Sequence, residues 1–406
     1  MNAGAKELAA GFDLEKLAPE FYDDPYPTYR ALRENEPVKR LPNGTVFLTR
    51  YDDLATAYKN TRSFSSDKKR EFAPKYGETP LYEHHTTSLV FNDPPAHTRV
   101  RRLIMGALSP RAIAGMEGDL VALVDKLLDA IAAKGSCELI GDFASAIPVE
   151  VIGNLLDVPH DEREPLREWS LAILGALEPV VSTDAAARGN RAVTDFLAYL
   201  STLVARRRQK PGNPDRDVLT RLIQGEDNGE RLTEKELLHN CIFLLNAGHE
   251  TTTNLIGNGL VALDRNPDQK RRLIDEPELI KTAVEEMLRY ESSNQLGNRM
   301  TTEQVELGGV MLDAGTSVTL CIGAANRDPA HFPEPERFDI ARTPNRHLAF
   351  ATGVHQCAGM ALARLEGAIA ISRFLARFPD YAVSGRPVRG GRVRFRGFLS
   401  VPCAIG

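Results

Sequence analysis

The longest hydrophobic pattern in the chain runs from Glu234 to Leu263 and predicts a single helix of about eight turns. A typical globular helix has about 11 residues, so this helix is much longer than most. Its apolar residues occupy nearly every side rather than one stripe, which is the pattern of a helix enclosed by other elements. We therefore expect it to cross the centre of the fold.

Shorter patterns on either side predict a mostly α-helical protein with small β-sheets. Helical periodicity predicts helices at Ile113 to Lys134, Asp195 to Arg208 and Leu279 to Tyr290. Alternation of apolar and polar residues predicts a strand at Gly44 to Arg50, hairpins between Gln304 and Cys321, and further strands near the C-terminus.

Few features divide the chain. The segment from Pro329 to Pro344 contains four prolines, which exclude a regular helix and predict an irregular, packed segment. No repeat or low-complexity linker is present, so residues 1–406 are expected to form one domain. The length exceeds the usual size of a single core, about 250 to 300 residues, so the interior can enclose a large cofactor.

Charge and cysteine usage narrow the function classes. A formal net charge of -5 gives no long-range attraction to nucleic acids or to anionic membranes. Residues Met1 to Asp13 lack the apolar stretch of a signal peptide or membrane anchor, so we expect a cytoplasmic protein. The five cysteines are scattered without a C-x-x-C pair, so a disulfide framework is not expected.

One cysteine has neighbours that suggest chemistry. Cys357 ends a loop that begins near Phe350, and it stands just before a helix predicted to run to about Phe378. The unpaired N–H groups at a helix start carry positive partial charge, so they favour a thiolate by lowering its pKa. Gly353 and Gly359 allow the backbone to approach a flat ligand closely.

Two other interpretations of Cys357 have less support in the sequence. A nucleophilic cysteine assisted by His355 is poorly supported, because two residues this close in a loop lack general-base geometry. A zinc site lacks further ligands in the sequence.

The loop resembles the haem-binding loop of the cytochrome P450 family, F-G-x-G-x-H/R-x-C-x-G. The matching residues are Phe350, Gly353, His355, Cys357 and Gly359, while Ala351 replaces the usual second-position glycine. The resemblance implies haem b, with the iron held by the Cys357 thiolate. It also implies the cytochrome P450 fold, with the haem buried between the central helix and the cysteine-loop helix, and haem-thiolate monooxygenase activity.

A second motif lies in the central helix, where Ala247, Gly248, Glu250 and Thr251 resemble the family pattern A/G-G-x-D/E-T. The resemblance implies that the glycine opens a groove for dioxygen and that Glu250 and Thr251 relay protons to it. Without the resemblance, the pattern is equally typical of a purely structural role, with a threonine bonded to its own helix and a glutamate at the surface.

Two further sets follow from the same resemblance. The E-x-x-R element matches Glu286 and Arg289, and its third, structural partner is expected to be Arg337 in the proline-rich segment. We expect this triad to be buried. The residues expected to bind the haem propionates are His97, Arg101, Arg299 and His355.

Substrate-facing positions are expected to be unusually polar. The candidates are Phe243, Asn246, Asn294, Gln295 and Phe398. Relatives generally have aliphatic residues at several of these positions, so we infer a substrate with a hydrogen-bonding group near the haem. The alternative is that Asn246 bonds a neighbouring helix and that the later polar residues cap turns.

The sequence also offers a weaker hypothesis of an acidic substrate, based on the basic run Lys68-Lys69-Arg70 and the pair His84-His85. Charge runs of this kind are more often solvated loops. Residues 72–88 and 176–190 are expected to gate access to the site.

The electrons are expected to come from separate proteins, because the chain has no flavin or pyridine-nucleotide motif and no ferredoxin-like cysteine cluster. The expected partner of this monomer is a ferredoxin with its reductase, docking beside Arg102, Arg346 or Arg364. The alternatives are coupling, desaturation or peroxide-driven oxidation by a haem-thiolate enzyme, and a non-enzymatic haem sensor. The intact Glu250–Thr251 pair argues against peroxide dependence.

Overall fold

Helices dominate the part of the chain that the computed structural model describes, which is residues 3–214, 217–225 and 229–405. The first helices are α1 (Ala3–Ala10), α2 (Pro19–Asp23), α3 (Tyr26–Asn35), α4 (Tyr51–Lys59), α5 (Lys69–Tyr76), α6 (Pro80–Thr87), α7 (Ala96–Ala107), α8 (Pro110–Ala114) and α9 (Glu117–Lys134). They are followed by α10 (Ala146–Leu155), α11 (Glu164–Gly175), α12 (Thr183–Gln209), α13 (Val218–Gln224), α14 (Glu234–Arg265), α15 (Pro267–Asp275), α16 (Ile280–Tyr290), α17 (Ile322–Ala325) and α18 (Met360–Arg377).

The strands are short. They are β1 (Val38–Arg40), β2 (Val46–Leu48), β3 (Phe64–Ser65), β4 (Cys137–Glu138), β5 (Leu296–Thr301), β6 (Val305–Leu307), β7 (Val310–Leu312), β8 (Ser317–Cys321), β9 (Ala382–Val383), β10 (Val388–Arg389), β11 (Phe398–Ser400) and β12 (Pro402–Ala404). The prediction of a mostly α-helical protein with small sheets is therefore confirmed.

The central helix α14 has 32 residues and begins at a capping box. The Thr233 hydroxyl accepts a hydrogen bond from the Glu236 backbone N–H (3.2 Å), and the Glu236 carboxylate accepts one from the Thr233 N–H (2.9 Å). Residues 252–263 of the helix are all buried. It packs against α10, α11, α12, α16 and α18, so it crosses the centre of the fold as predicted.

The main sheet has five strands in the order β1-β2-β8-β5-β3, with β2 and β8 parallel. The hairpin predicted around Gly308 and Gly309 is confirmed as β6–β7, and both glycines have positive φ. A second hairpin in this region was wrong, because β8 pairs with β2 and β5 instead of turning back on β7.

The proline-rich segment has neither helix nor strand, as predicted, and it is held by a buried ion pair. Glu286 and Arg289 are fully buried and bonded to each other at 2.7 and 2.8 Å. The third partner is Arg342, whose Nε lies 3.2 and 3.1 Å from the Glu286 carboxylate oxygens.

The prediction that Arg337 completes this triad was therefore wrong. Its side chain is mainly exposed and pairs with Glu334, while its backbone carbonyl accepts a hydrogen bond from Arg289. An irregular segment has no periodicity that tells which arginine turns inward, so the sequence could not choose between the two positions.

Among the described residues, none of the helices combines the length and apolar character needed to cross a membrane.

Candidate functional site

A cavity of about 530 Å³ lies between the central helix α14 and the cysteine loop. It brings together motifs that are far apart in the sequence. The lining includes Phe243, Asn246, Ala247, Gly248 and Thr251 from α14, and Phe350, His355, Cys357 and Gly359 from the loop. A Cβ added at Gly248 would overlap the Ile152 side chain, so this glycine also allows α10 to approach α14 closely.

Backbone hydrogen bonds shape the cysteine loop. The Cys357 N–H donates to the Phe350 carbonyl at 2.9 Å. Gly353 has a φ of 75°, and a Cβ there would lie 2.7 Å from the Tyr58 carbonyl oxygen, so both conformation and space require glycine.

Ala351 adopts a left-handed conformation with a φ of 53°. It is the residue that departs from the resemblance by replacing a glycine. An L-residue pays about 1 to 2 kcal/mol for this region, whereas glycine does not. The loop therefore keeps the shape that a glycine would favour, at the expense of local strain.

Burial raises the pKa of Cys357. The Gly359 N–H, which donates to the sulfur, and the positive charges of Arg101 and Arg364 lower it, but the effect of burial is larger. The expected lowering of the pKa by the start of α18 is thus outweighed. Since the cysteine is free, a thiolate here is favoured when a metal cation binds to it.

The four residues predicted to bind propionates lie together in the cavity wall: His97, Arg101, Arg299 and His355. The ring centroids of His97 and His355 are 4.0 Å apart. Within the described part of the chain, four buried nitrogens have no hydrogen-bond partner: both ring nitrogens of His97, Nε2 of His355 and Nε of Arg299.

Such unpartnered groups are unfavourable unless a ligand supplies acceptors. Burial lowers the pKa of His97 to about 4 and that of His355 to about 2, so each ring is neutral near pH 7 and offers one N–H. Arg101 and Arg299 add positive charge. This set and the free Cys357 sulfur fit a group with acidic side arms and a thiolate-bound metal, as haem b has.

The proposed proton-relay residues Glu250 and Thr251 lie in different surroundings. Thr251 lines the cavity, and its hydroxyl donates to the Ala247 carbonyl at 2.6 Å. Glu250 is buried, and Arg392 Nη1 donates to its two carboxylate oxygens at 2.6 and 2.7 Å. Burial raises the pKa of Glu250 to about 7, although Arg392 opposes the shift. The alternative of a surface glutamate is therefore excluded, whereas the helix-bonded threonine is observed.

Arg392 was missed by the sequence analysis. It is 142 residues away from Glu250 in a segment without a helical pattern. A usable signal was present, since Arg392, Arg394 and Arg396 alternate with apolar Val393 and Phe395. Alternation in an extended segment places the three arginines on the same side of the backbone.

Three of the predicted substrate residues line the cavity: Phe243, Asn246 and Asn294. Nδ2 and Oδ1 of Asn246 and Oδ1 of Asn294 are buried without a partner among the described residues. The alternative that Asn246 bonds a neighbouring helix is therefore not observed.

Two predicted substrate residues were wrong. Gln295 is fully buried outside the cavity lining, and its Nε2 donates to the Ser292 carbonyl at 2.7 Å. Phe398 packs under the Arg389 guanidinium, 3.9 Å from its ring centroid, while Phe395 lines the cavity. Neighbouring residues of extended backbone face opposite ways, and the sequence did not fix which of them faced the site.

The two predicted access segments contact each other. The Tyr76 hydroxyl donates to the Ala176 carbonyl at 2.6 Å, and the Leu81 N–H donates to Asn190 Oδ1 at 3.0 Å. Residues of both segments also line the cavity. Both segments therefore form part of the cavity wall and are hydrogen-bonded to each other.

The chain matches the family described as Cytochrome P450 over residues 174–381. It is 37% identical over 381 residues to "Biotin biosynthesis cytochrome P450" of Bacillus subtilis, covering 92% of this chain and 95% of the relative. It is 38% identical over 369 residues to "Vitamin D(3) 25-hydroxylase" of Pseudonocardia autotrophica, covering 90% of this chain and 89% of the relative.

Solved structures show the same likeness. P450BioI in complex with an acyl carrier protein ligated to hexadec-9Z-enoic acid has a TM-score of 0.90 and 35% identity, over 95% of this chain and 100% of that one. Myxobacterial CYP267B1 in complex with myristic acid has a TM-score of 0.88 and 34% identity, over 97% of this chain and 99% of that one.

Proposed function

Because this chain belongs to the cytochrome P450 family of haem-thiolate monooxygenases, we propose that it oxidises an organic substrate that presents a hydrogen-bonding group close to the iron. The observation that carries this proposal is the Asn246 amide. Asn246 lines the cavity next to Ala247, and its amide donor and acceptor are both buried without a partner among the residues that the structure describes. A buried amide is stabilised when a ligand supplies the missing hydrogen bonds.

Haem b, when bound, supplies the activation of dioxygen, so that one oxygen atom enters the substrate and the other leaves as water. Cys357 is the proposed iron ligand. The proposed partners of the haem propionates are His97, Arg101, Arg299 and His355. The buried nitrogens of His97, Arg299 and His355, which have no partner among the described residues, support this role.

Proton supply is assigned to Thr251 and Glu250. The Thr251 oxygen lines the cavity and can accept a hydrogen bond from a water there. Glu250, with a pKa raised to about 7, can hold or release a proton near neutral pH. Arg392 is a positioning residue, since it fixes the Glu250 carboxylate through both oxygens.

The electrons are proposed to come from a ferredoxin and its reductase, with the ferredoxin docking on the face that carries the cysteine loop. Val354 of this loop is 43% exposed, and Arg346 is an exposed cation nearby in the sequence. Arg364 is less suited to the partner, because its guanidinium is already paired with Glu285 at 2.7 and 2.8 Å.

The proposal is tested with the purified haem protein and its Cys357→Ser and Asn246→Leu variants. The reduced carbonyl complex should show the red-shifted Soret band of thiolate ligation, and Cys357→Ser should lose it. Asn246→Leu should keep this band but lose affinity for hydroxylated ligands relative to their deoxy analogues, measured by the spin-state shift. Equal loss for both ligand types would contradict the role of the amide.

A further inference from the structure

One end of the cavity is formed by α5 and α6 and is lined by basic and histidine side chains: Lys68, Lys75, His84 and His85. This end is fixed against the first half of α14. Nδ1 of His84 lies 3.4 Å from Nδ1 of His239, and the Leu89 N–H donates to Asn240 Oδ1 at 2.9 Å. His239 precedes Asn246 by about two helical turns, which is roughly 10 Å along the axis.

His85 is a buried side chain whose Nε2 is unpartnered within the described residues. Its side chain lines the cavity, its exposure is 1%, and Nε2 makes no hydrogen bond among the described residues. The ring packs among Phe72, Tyr76 and Phe91, with centroids 5.6, 5.5 and 5.7 Å away. Aromatic rings cannot satisfy this nitrogen, so a ligand that does so is stabilising.

The imidazole is neutral near pH 7, because burial and then the charges of Lys75 and Arg394 lower the pKa of His85 to about 3. A neutral ring donates one N–H and needs no counter-charge. His85 is therefore suited to donate to an acceptor oxygen.

Positive charge accompanies this donor. Lys75 Nζ lies 5.3 Å from the centroid of the Tyr76 ring that also contacts His85, and it donates to the Glu178 backbone carbonyl at 2.8 Å. Among the described residues, the Arg394 guanidinium donates to neutral oxygens only, those of Leu177, Leu296 and Asn298.

The nearby carboxylates are already engaged. Glu71 binds Lys68 at 2.6 Å, and Glu178 accepts hydrogen bonds from the backbone N–H groups of Val393 and Arg394. Among the described residues, the Lys75 ammonium and the Arg394 guanidinium therefore have no hydrogen bond to a carboxylate. Charge remains at this end of the cavity for an anionic ligand.

We propose that this end of the cavity is an anion-binding subsite in which His85 Nε2 and the Lys75 ammonium bind a carboxylate of the substrate. The inference rests on the proposed function and defines its substrate class as an amphipathic organic acid. The acid group binds at this end of the cavity, and the substrate is oxidised beside Asn246, which lines the same cavity. Apolar residues that line the same cavity, including Val90, Phe91 and Leu244, contact the carbon chain.

The basic run in the sequence thus divides into two kinds of residue. Lys68 is buried and lines the cavity, whereas Lys69 is exposed and pairs with Asp67 at 2.9 Å. Lys69 provides a matched control, since it is a lysine of the same segment that does not line the cavity.

The test uses the haem-loaded protein and four ligands: 12-hydroxydodecanoate, dodecanoate and the methyl ester of each. Calorimetry and the spin-state shift report affinity without turnover. Each acid should bind the wild-type protein at least tenfold more tightly than its ester. Lys75→Gln should reduce this preference to threefold or less, and His85→Phe should reduce it as well, while Lys69→Gln leaves it unchanged.

Equal affinity of acid and ester for the wild-type protein would overturn the subsite, as would an equal loss of preference in Lys75→Gln and Lys69→Gln. Because Lys75 lies at the exposed rim, its variant remains informative even if His85→Phe does not fold. The hydroxyl contrast tests the proposed function separately. If the protein prefers the hydroxylated ligands but not the acids, only the anion subsite is contradicted. If the wild-type protein lacks the carbonyl band of thiolate ligation, both the subsite and the proposed function are contradicted.

Discussion

Arg392 binds both oxygens of Glu250 through Nη1 and donates to the Leu171 carbonyl of α11 through Nη2 at 3.2 Å. The same segment is also bonded to the access segment that follows α11, where Glu178 accepts hydrogen bonds from the backbone N–H groups of Val393 and Arg394. The acid of the proposed proton path is therefore tied to the element that leads into an access segment.

Glu250 should give product yield a pH dependence centred near 7. The pKa of its carboxyl is raised to about 7, so the proton-donating form is lost as pH rises through this value. We expect the fraction of reducing equivalents recovered as product to fall between pH 6 and pH 8.5. Glu250→Gln should flatten this profile at a lower yield. An unchanged slope in the variant would remove Glu250 from the path.

Arg392→Gln should shift the midpoint of this pH dependence to a higher pH. Arg392 lowers the pKa of Glu250, so its removal leaves burial unopposed and raises the midpoint. Loss of one partner of a buried pair should also destabilise the folded protein by about 3 kcal/mol above the midpoint, measured by urea unfolding. Arg386→Gln is the control, because its side chain is 91% exposed. An unchanged midpoint would mean that Arg392 does not control the pKa of Glu250.

Replacing Ala351 with glycine should stabilise the cysteine loop. The positive φ of Ala351 strains an L-residue, and glycine relieves this strain by about 1 kcal/mol after its own loss of chain entropy. The measurement is thermal unfolding together with the rate of haem loss. Ala349→Gly, at a neighbouring alanine without positive φ, should have the opposite sign. Destabilisation by both variants would show that the strain is not released.

Arg342 and Arg337 form a matched pair for testing the buried triad. Arg342→Gln removes a contact to the fully buried Glu286 and should lower the free energy of unfolding by about 3 kcal/mol. Arg337→Gln changes an exposed side chain and should stay within about 0.5 kcal/mol of the wild type. The free energy of unfolding of both variants is measured by urea unfolding. A similar decrease in both variants would support Arg337 as a member of the triad.

The sequence predicted those parts of the molecule that have a regular period or a fixed local spacing. The apolar pattern predicted the C-terminal end of α14 to within two residues. The loop motif identified Cys357 and Phe350, and both residues line the cavity. The four predicted propionate partners also lie together, because their motifs flank the same space.

The failures share a physical origin. Gln295 and Phe398 sit in extended backbone, where a register difference of one residue decides which side chain faces the site. Arg342 lies in a segment without any period, and Arg392 reaches Glu250 only through long-range packing. The burial of His85 likewise depends on how α5 and α6 meet α14, which local sequence does not reveal.

The alternation of Arg392, Arg394 and Arg396 with Val393 and Phe395 has a consequence for evolution and engineering. Deletion of one residue between its arginines would reverse the orientation of the side chains that follow within this stretch. Phe395 would then turn away from the cavity that it lines. We expect homologous chains to vary here by substitution while keeping the spacing of these positions, unlike loops that tolerate insertions.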